Sequence, residues 1–221
     1  MIEIKNLIKT YNIGGQTIKA VDNVSLMIEK GDLVSIVGHS GSGKTTLLSL
    51  IGGLTMPASG SVIIDGIDIW SMGDDKLSEF RNKKISFIYQ FSSLIPTLTV
   101  LENVMLPTAF GSHDENAEEY AKKLLDTVGL KDKMTSYPSQ LSGGQQRRVA
   151  IARAFINKPE IILADEPTGD LDEETEKEIL SLFHSMNREK NITFVIVTHD
   201  KEIATQAKRK LKMGNGSIKE L

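Results

Sequence analysis

The chain has 221 residues, 40% of them apolar, and a formal net charge of −3. That supplies one domain with a real core, and the interspersed charges make no sequence-wide basic stripe of the kind that grips nucleic acid. The absence of cysteine excludes disulfides and thiol chemistry. No stretch approaches the ~20 consecutive apolar residues needed to span a bilayer.

Residues 2–10 alternate apolar and polar, which predicts a strand closed by Tyr11; Glu3 and Lys5 within it argue against a signal peptide. The β-rich run Leu33–Val37 leads into Gly38-His39-Ser40-Gly41-Ser42-Gly43-Lys44-Thr45-Thr46 and a helical stretch over 45–51. G-x-x-x-x-G-K-[ST] between a strand and a helix is a phosphate loop. Its glycines let successive N–H groups turn inward, and the helix adds its positive end. Lys44 then reaches the β and γ phosphates, and the Thr45 hydroxyl ligates magnesium. Strands dominate residues 2–69, with an Asp65-Gly66 hairpin turn. A further strand, 85–89, ends on Gln90.

From 91 to 140 the pattern turns helical: 99–106, then 116–128 closed by Gly129, then a loop at Pro138. Leu141-Ser142-Gly143-Gly144-Gln145 opens the next helix, with Ser142 a good N-cap and two glycines permitting close backbone approach. Ile161–Asp165 reads as a buried parallel strand that carries Asp165 towards the magnesium. Glu166, one residue on, is placed to accept a proton from the attacking water or simply to orient it. A long helix, Glu173–Lys190, precedes a second parallel-type strand, 194–198, which ends on His199. A strand at 210–213, an Asn215-Gly216 turn and Ser217–Glu220 complete an α/β pattern.

Residues 141–154, Leu-Ser-Gly-Gly-Gln-Gln-Arg-Arg-Val-Ala-Ile-Ala-Arg-Ala, resemble the signature motif and helix of the ATP-binding-cassette (ABC) family. The likeness extends over essentially the whole chain in the family's order. It implies an ABC-type P-loop NTPase: a RecA-like core with a β-rich sublobe (1–90 and 158–221) and an inserted α-helical subdomain (about 91–157). It also implies ATP and Mg2+ as cofactors, with Gly38, Ser40, Gly41, Ser42, Gly43, Lys44, Thr45 and Thr46 around the phosphates. By the same resemblance Tyr11 stacks on adenine, and Gln90 contacts magnesium or the attacking water. His199 is the switch histidine that bonds the γ phosphate, and Gly169-Asp170-Leu171-Asp172 is a D-loop at the dimer interface. Ser142, Gly143, Gly144 and Gln145 would meet ATP held by the other subunit of a nucleotide-dependent homodimer, or of a heterodimer with a related ATPase.

The run 91–107, with Tyr11 to Gln16 and Leu50-Ile51-Gly52-Gly53-Leu54, is similar to the LolD, MacB and FtsE group of ABC ATPases, in which this region helps form a groove for a permease's coupling helix. Asp170 stands where that group commonly has Asn. The resemblance implies an ATPase that is cytoplasmic and peripheral on the inner face of the membrane. It would power an integral membrane permease for lipoprotein, peptide or amphipathic drug. The alternatives are an FtsE-like regulator of extracellular enzymes or, on another branch, a soluble ATPase acting on DNA or ribosomes; no nucleic-acid partner is expected.

Overall fold

The computed structural model describes residues 1–111, 115–169 and 171–221, without the side chains of 201–203. The D-loop residue Asp170 lies outside the described residues.

β1 (Ile2–Ile13) pairs antiparallel with β2 (Gln16–Ile28) across a Gly14-Gly15 turn in which both residues take positive φ. β1 therefore continues past Tyr11, which pairs with Ile18 inside the ladder instead of closing the strand. β3 (Leu33–Val37) feeds α1 (Lys44–Ile51), and β4 (Ser59–Ile64) turns into β5 (Ile67–Asp68) through Asp65-Gly66, with φ of 50° and 83° as a primed hairpin turn requires. These strands give an antiparallel sheet in the order β2-β1-β4-β5.

α2 (Asp74–Lys84) follows, a helix for which apolar periodicity gives no sign, because Leu77 is its one buried residue. Charge explains it better: Asp74 and Asp75 occupy its first turn and Arg81, Lys83 and Lys84 its last, each matching the helix dipole. Then come β6 (Ile85–Ile88), α3 (Val100–Met105), α4 (Ala117–Thr127), α5 (Gly143–Phe155), β7 (Ile161–Asp165), α6 (Glu173–Lys190), β8 (Thr193–Thr198), α7 (Lys201–Gln206), β9 (Arg209–Gly214) and β10 (Ser217–Glu220). A second sheet runs β10-β9-β3-β8-β7-β6, parallel throughout except for the terminal hairpin β9–β10.

Period-2 alternation divides the core between the two faces of this sheet. Ile162, Ala164, Phe194 and Ile196 pack on one side with α3, α4, α5 and α6. Ile161, Leu163, Val195 and Val197 pack on the other with α1 and the antiparallel sheet. Both sides are largely apolar, so the strands read as near-continuous hydrophobic runs, interrupted by Ser35, whose hydroxyl bonds Ala204 O, and the charged residues gather at their carboxyl ends. The irregular stretch before α3 is held by Asn103, fully buried, whose amide bonds the backbone of Ile95, Leu98 and Thr99.

Candidate functional site

β3, β7 and β8 are neighbours, so the segments leaving their carboxyl ends converge. A cavity of about 590 Å³ lies there, lined by Tyr11, Ala20, residues 40–46, Gln90, Asp165, Glu166 and His199. Gly38 stands just behind it as a carbonyl partner of Lys44.

The loop after β3 is built around that lysine. Lys44, only 9% exposed, donates to the carbonyl oxygens of Gly38 at 2.7 Å and His39 at 3.2 Å, which bends the loop back over its own ammonium. Gly43 at the start of α1 has φ 103°, and an added Cβ would lie 2.0 Å from the Ala20 carbonyl oxygen, so only glycine fits. α1 begins there with no side-chain cap, which leaves its first N–H groups facing the cavity. The buried Ser42 hydroxyl has no hydrogen-bond partner among the described residues. An orphan donor, uncapped N–H groups and an ammonium in one concavity suit a phosphate chain.

The Thr45 hydroxyl donates to Asp165 Oδ2 at 2.8 Å across the gap between α1 and β7. Burial raises the Asp165 carboxyl above the ordinary carboxylate value, against the lowering effect of the Thr45 bond. A desolvated carboxylate beside a hydroxyl and the Gln90 amide is a set of hard oxygen donors that fits Mg2+.

Glu166 takes φ 46°, uncommon for a residue with a side chain. Its N–H donates to Val197 O at 2.9 Å. Its carboxylate accepts from Thr198 Oγ1 at 2.8 Å and from the His199 N–H at 2.9 Å, and His199 Nδ1 lies 2.8 Å from Oε1. The hydrogen bond to Glu166 holds the His199 imidazole above its ordinary pKa of 6.5, with the carboxylate's charge adding to it. An acid, its anchoring threonine and an exposed histidine thus form one unit at the ends of β7 and β8.

Tyr11 lines the cavity, 39% exposed, with the Lys9 ammonium 5.3 Å from its ring centroid. Ser142, Gly143, Gly144 and Gln145 do not line it. Ser142 caps α5 as its sequence position predicts: Oγ accepts from Gln145 N at 3.2 Å, and Gln145 Oε1 accepts from Ser142 N at 3.0 Å. Gln145 is thereby engaged in a capping box. Gly143 lines a separate cavity that also contains Gln90 and Leu171.

Arg147 is the residue that motif reading passes over. It is 3% exposed, and its guanidinium bonds the carbonyls of Tyr89, Gln90, Glu166 and Pro167. Its signal in the sequence is spacing: Arg147, Ala150, Ile151 and Ala154 follow i, i+3, i+4, i+7 on the buried face of α5, where a charge requires partners.

A family model described as ABC transporter matches residues 21–169. The lipoprotein-releasing system ATP-binding protein LolD of Syntrophus aciditrophicus is 44% identical over 219 residues, covering 99% of this chain and 98% of that protein. The macrolide export ATP-binding/permease protein MacB of Rhodopirellula baltica is 45% identical over the whole chain, which spans 33% of MacB. The ATP-binding cassette MJ0796, in a dimeric post-hydrolysis state bound to ADP and Pi, superposes with a TM-score of 0.94 at 44% identity, covering 100% of this chain and 98% of that one. Among the described residues no helix is long and apolar enough to cross a membrane. With its phosphate loop, acidic strand end and capped signature helix arranged as the motifs require, the chain belongs to the ABC transporter family.

Proposed function

We propose that this ATPase is the motor subunit of a LolD- or MacB-like machine, peripheral on the inner face of the membrane, driving a separate permease that exports or extracts a lipoprotein, peptide or amphipathic drug. The carrying observation is the division of the motifs: one cavity gathers residues 40–46, Gln90, Asp165, Glu166 and His199, while the signature residues open elsewhere on the surface. A complete site then needs Ser142 to Gln145 from a second subunit, identical or closely related. MJ0796 is a dimeric cassette in the solved structure, which supports that reading.

In the closed pair Lys44, the N–H groups of residues 41–46 and the hydroxyl of the other subunit's Ser142 surround the phosphates, and Tyr11 stacks on the adenine. Thr45, Gln90 and Asp165 would hold Mg2+, which would supply charge neutralisation to the bound phosphates. Glu166 takes or orients the proton of the attacking water, and His199 steadies both that carboxylate and the γ phosphate.

The permease has a candidate seat. Leu54, Phe87, Tyr89, Pro107, Phe110 and Arg153 line a second cavity of about 590 Å³ between α2, β6 and residues 91–157, which we take as the inserted helical subdomain. Phe110, 76% exposed, is among the residues that line it.

The test uses Glu166→Gln to hold ATP unhydrolysed. The tagged variant is expressed in its source cell, membranes are solubilised with ATP and Mg2+, and copurifying proteins are identified by mass spectrometry. A permease with few spans and a large external domain is expected. Recovery of ribosomes or nucleic acid with no integral membrane protein would overturn the proposal.

A further inference from the structure

Arg147 joins three parts of the molecule that the motifs treat separately. It projects from the second turn of α5, the helix whose first residues are the signature. Among the described residues, two of its acceptors, Tyr89 O and Gln90 O, belong to the segment leaving β6. The other two, Glu166 O and Pro167 O, belong to the turn leaving β7, the latter 2.7 Å from Nε. One planar fork therefore spans the segment that carries Gln90 and the turn that carries Glu166, and it is carried by the signature helix.

The Glu166 end needs such a brace. At φ 46° the Glu166 backbone occupies a conformation that is uncommon for a side-chain-bearing residue and costs energy to hold. Glu166 N bonds Val197 O from the strand side, and the Arg147 bonds to the carbonyls of Glu166 and Pro167 brace it from the helix side. The Gln90 end is held twice: Arg153, two turns further along α5, donates to Ser92 O at 2.8 Å and Ser93 O at 2.9 Å. Arg153 thus straps residues 92–93 to α5 but does not reach the Glu166 turn.

We propose that Arg147 is a positioning residue that ties the orientation of the signature helix to the placement of the Glu166 carboxylate and of Gln90, so that the hydrolytic residues are aligned only when α5 stands in its docked orientation. The inference rests on the ATPase reading above. The charge alone does not perform this task. These four carbonyls in two directions need the rigid guanidinium, and the three donors of a lysine on a flexible stem do not reproduce it.

The experiment measures ATPase kinetics, MgATP affinity by equilibrium binding and far-UV circular dichroism for the wild type, Arg147→Met, Arg147→Lys and Arg153→Met. For Arg147→Met the expectation is a kcat loss of about a hundredfold, the effect of misplacing a catalytic group by about 1 Å, with KM and MgATP affinity within about threefold of wild type. Arg147→Lys should recover little of that loss, and Arg153→Met should lose several times less than Arg147→Met. Equal kcat losses for the Arg147 and Arg153 variants, full rescue by lysine, or a loss explained by a matching fall in folded fraction or MgATP affinity would each overturn the proposal. Should Arg147→Met fail to fold, Arg147→Lys decides the matter: a folded lysine variant with wild-type kcat contradicts it, and one with intact affinity and depressed kcat supports it. A wild-type protein that binds MgATP but does not turn it over would instead contradict the ATPase reading.

Discussion

The phosphate loop and the signature turn are both glycine-bearing helix starts, yet they are finished in opposite ways. α1 opens on Gly43 with no side-chain cap, and its N–H groups face a cavity already furnished with Lys44, Thr45 and Asp165. α5 opens on Ser142 with both halves of a capping box closed, and its surroundings contain none of those groups. The first is a cradle that waits for an anion. The second is a helix end whose Gln145 N–H is already capped, and its Gly143 and Gly144 N–H groups and the spare hydroxyl hydrogen of Ser142 are left for a visitor. Similar helix starts thus give two different surfaces, which on the proposed reading are a built half-site and a half-site contributed to the other subunit, and the difference lies in what stands opposite each one.

That contrast can be broken most forcefully at Glu166. Removing its charge in Glu166→Gln should lower turnover at least about a hundredfold while MgATP binding persists, because the phosphate cradle does not involve that carboxylate. The variant should accumulate as an ATP-bound dimer on size-exclusion chromatography; near-parental hydrolysis would remove Glu166 from its role. Ser142→Asp sharpens the other side. Aspartate is as good an N-cap as serine, so the thermal midpoint should hold, whereas it offers no donor and adds repulsion towards phosphate, and kcat should fall about a hundredfold. Ser142→Ala reverses the emphasis and should cost about 1 kcal/mol of stability through the lost cap.

Tyr11 tests the periphery of the cradle. Tyr11→Ala should raise KM for ATP about tenfold through lost stacking and leave kcat in place, which steady-state kinetics separates. The mildest effect concerns His199, whose raised pKa comes first from its hydrogen bond with Glu166. The protonated pair contributes stability below pH 6.5, and that contribution is lost as pH rises through the elevated folded-state pKa. Titration of the His199 C2 proton by NMR should show a midpoint above 6.5 that falls back in Glu166→Gln.

Much of this was legible from residues alone where one local rule decides. Leu33–Val37, Ile161–Asp165 and Glu173–Lys190 match their strands and helix residue for residue, and Gly129, Asp65-Gly66 and Asn215-Gly216 take the positive φ their turns demand. Legibility failed where the cause is not apolar periodicity. α2 rests on terminal charges and a single leucine, and β1 runs two residues past Tyr11 because Gly14-Gly15, not the tyrosine, makes the turn. The gathering of residues 40–46 and Asp165 in one cavity was legible because a motif fixes their spacing along the chain. For Arg147 the helical spacing signals burial but not its partners, because its acceptors lie at 89–90 and 166–167 and no local pattern announces a contact between segments so far apart.

The most direct test of the half-site account is the dependence of specific ATPase activity on protein concentration, measured alongside the dimer fraction by sedimentation velocity in ATP and Mg2+. If each site is assembled from the phosphate loop of one subunit and Ser142 to Gln145 of another, activity per mole of protein rises with concentration in step with the dimer fraction and saturates when the dimer does. Activity per mole that stays constant down to concentrations where only monomer sediments would contradict the account, since a single chain would then complete the site by itself.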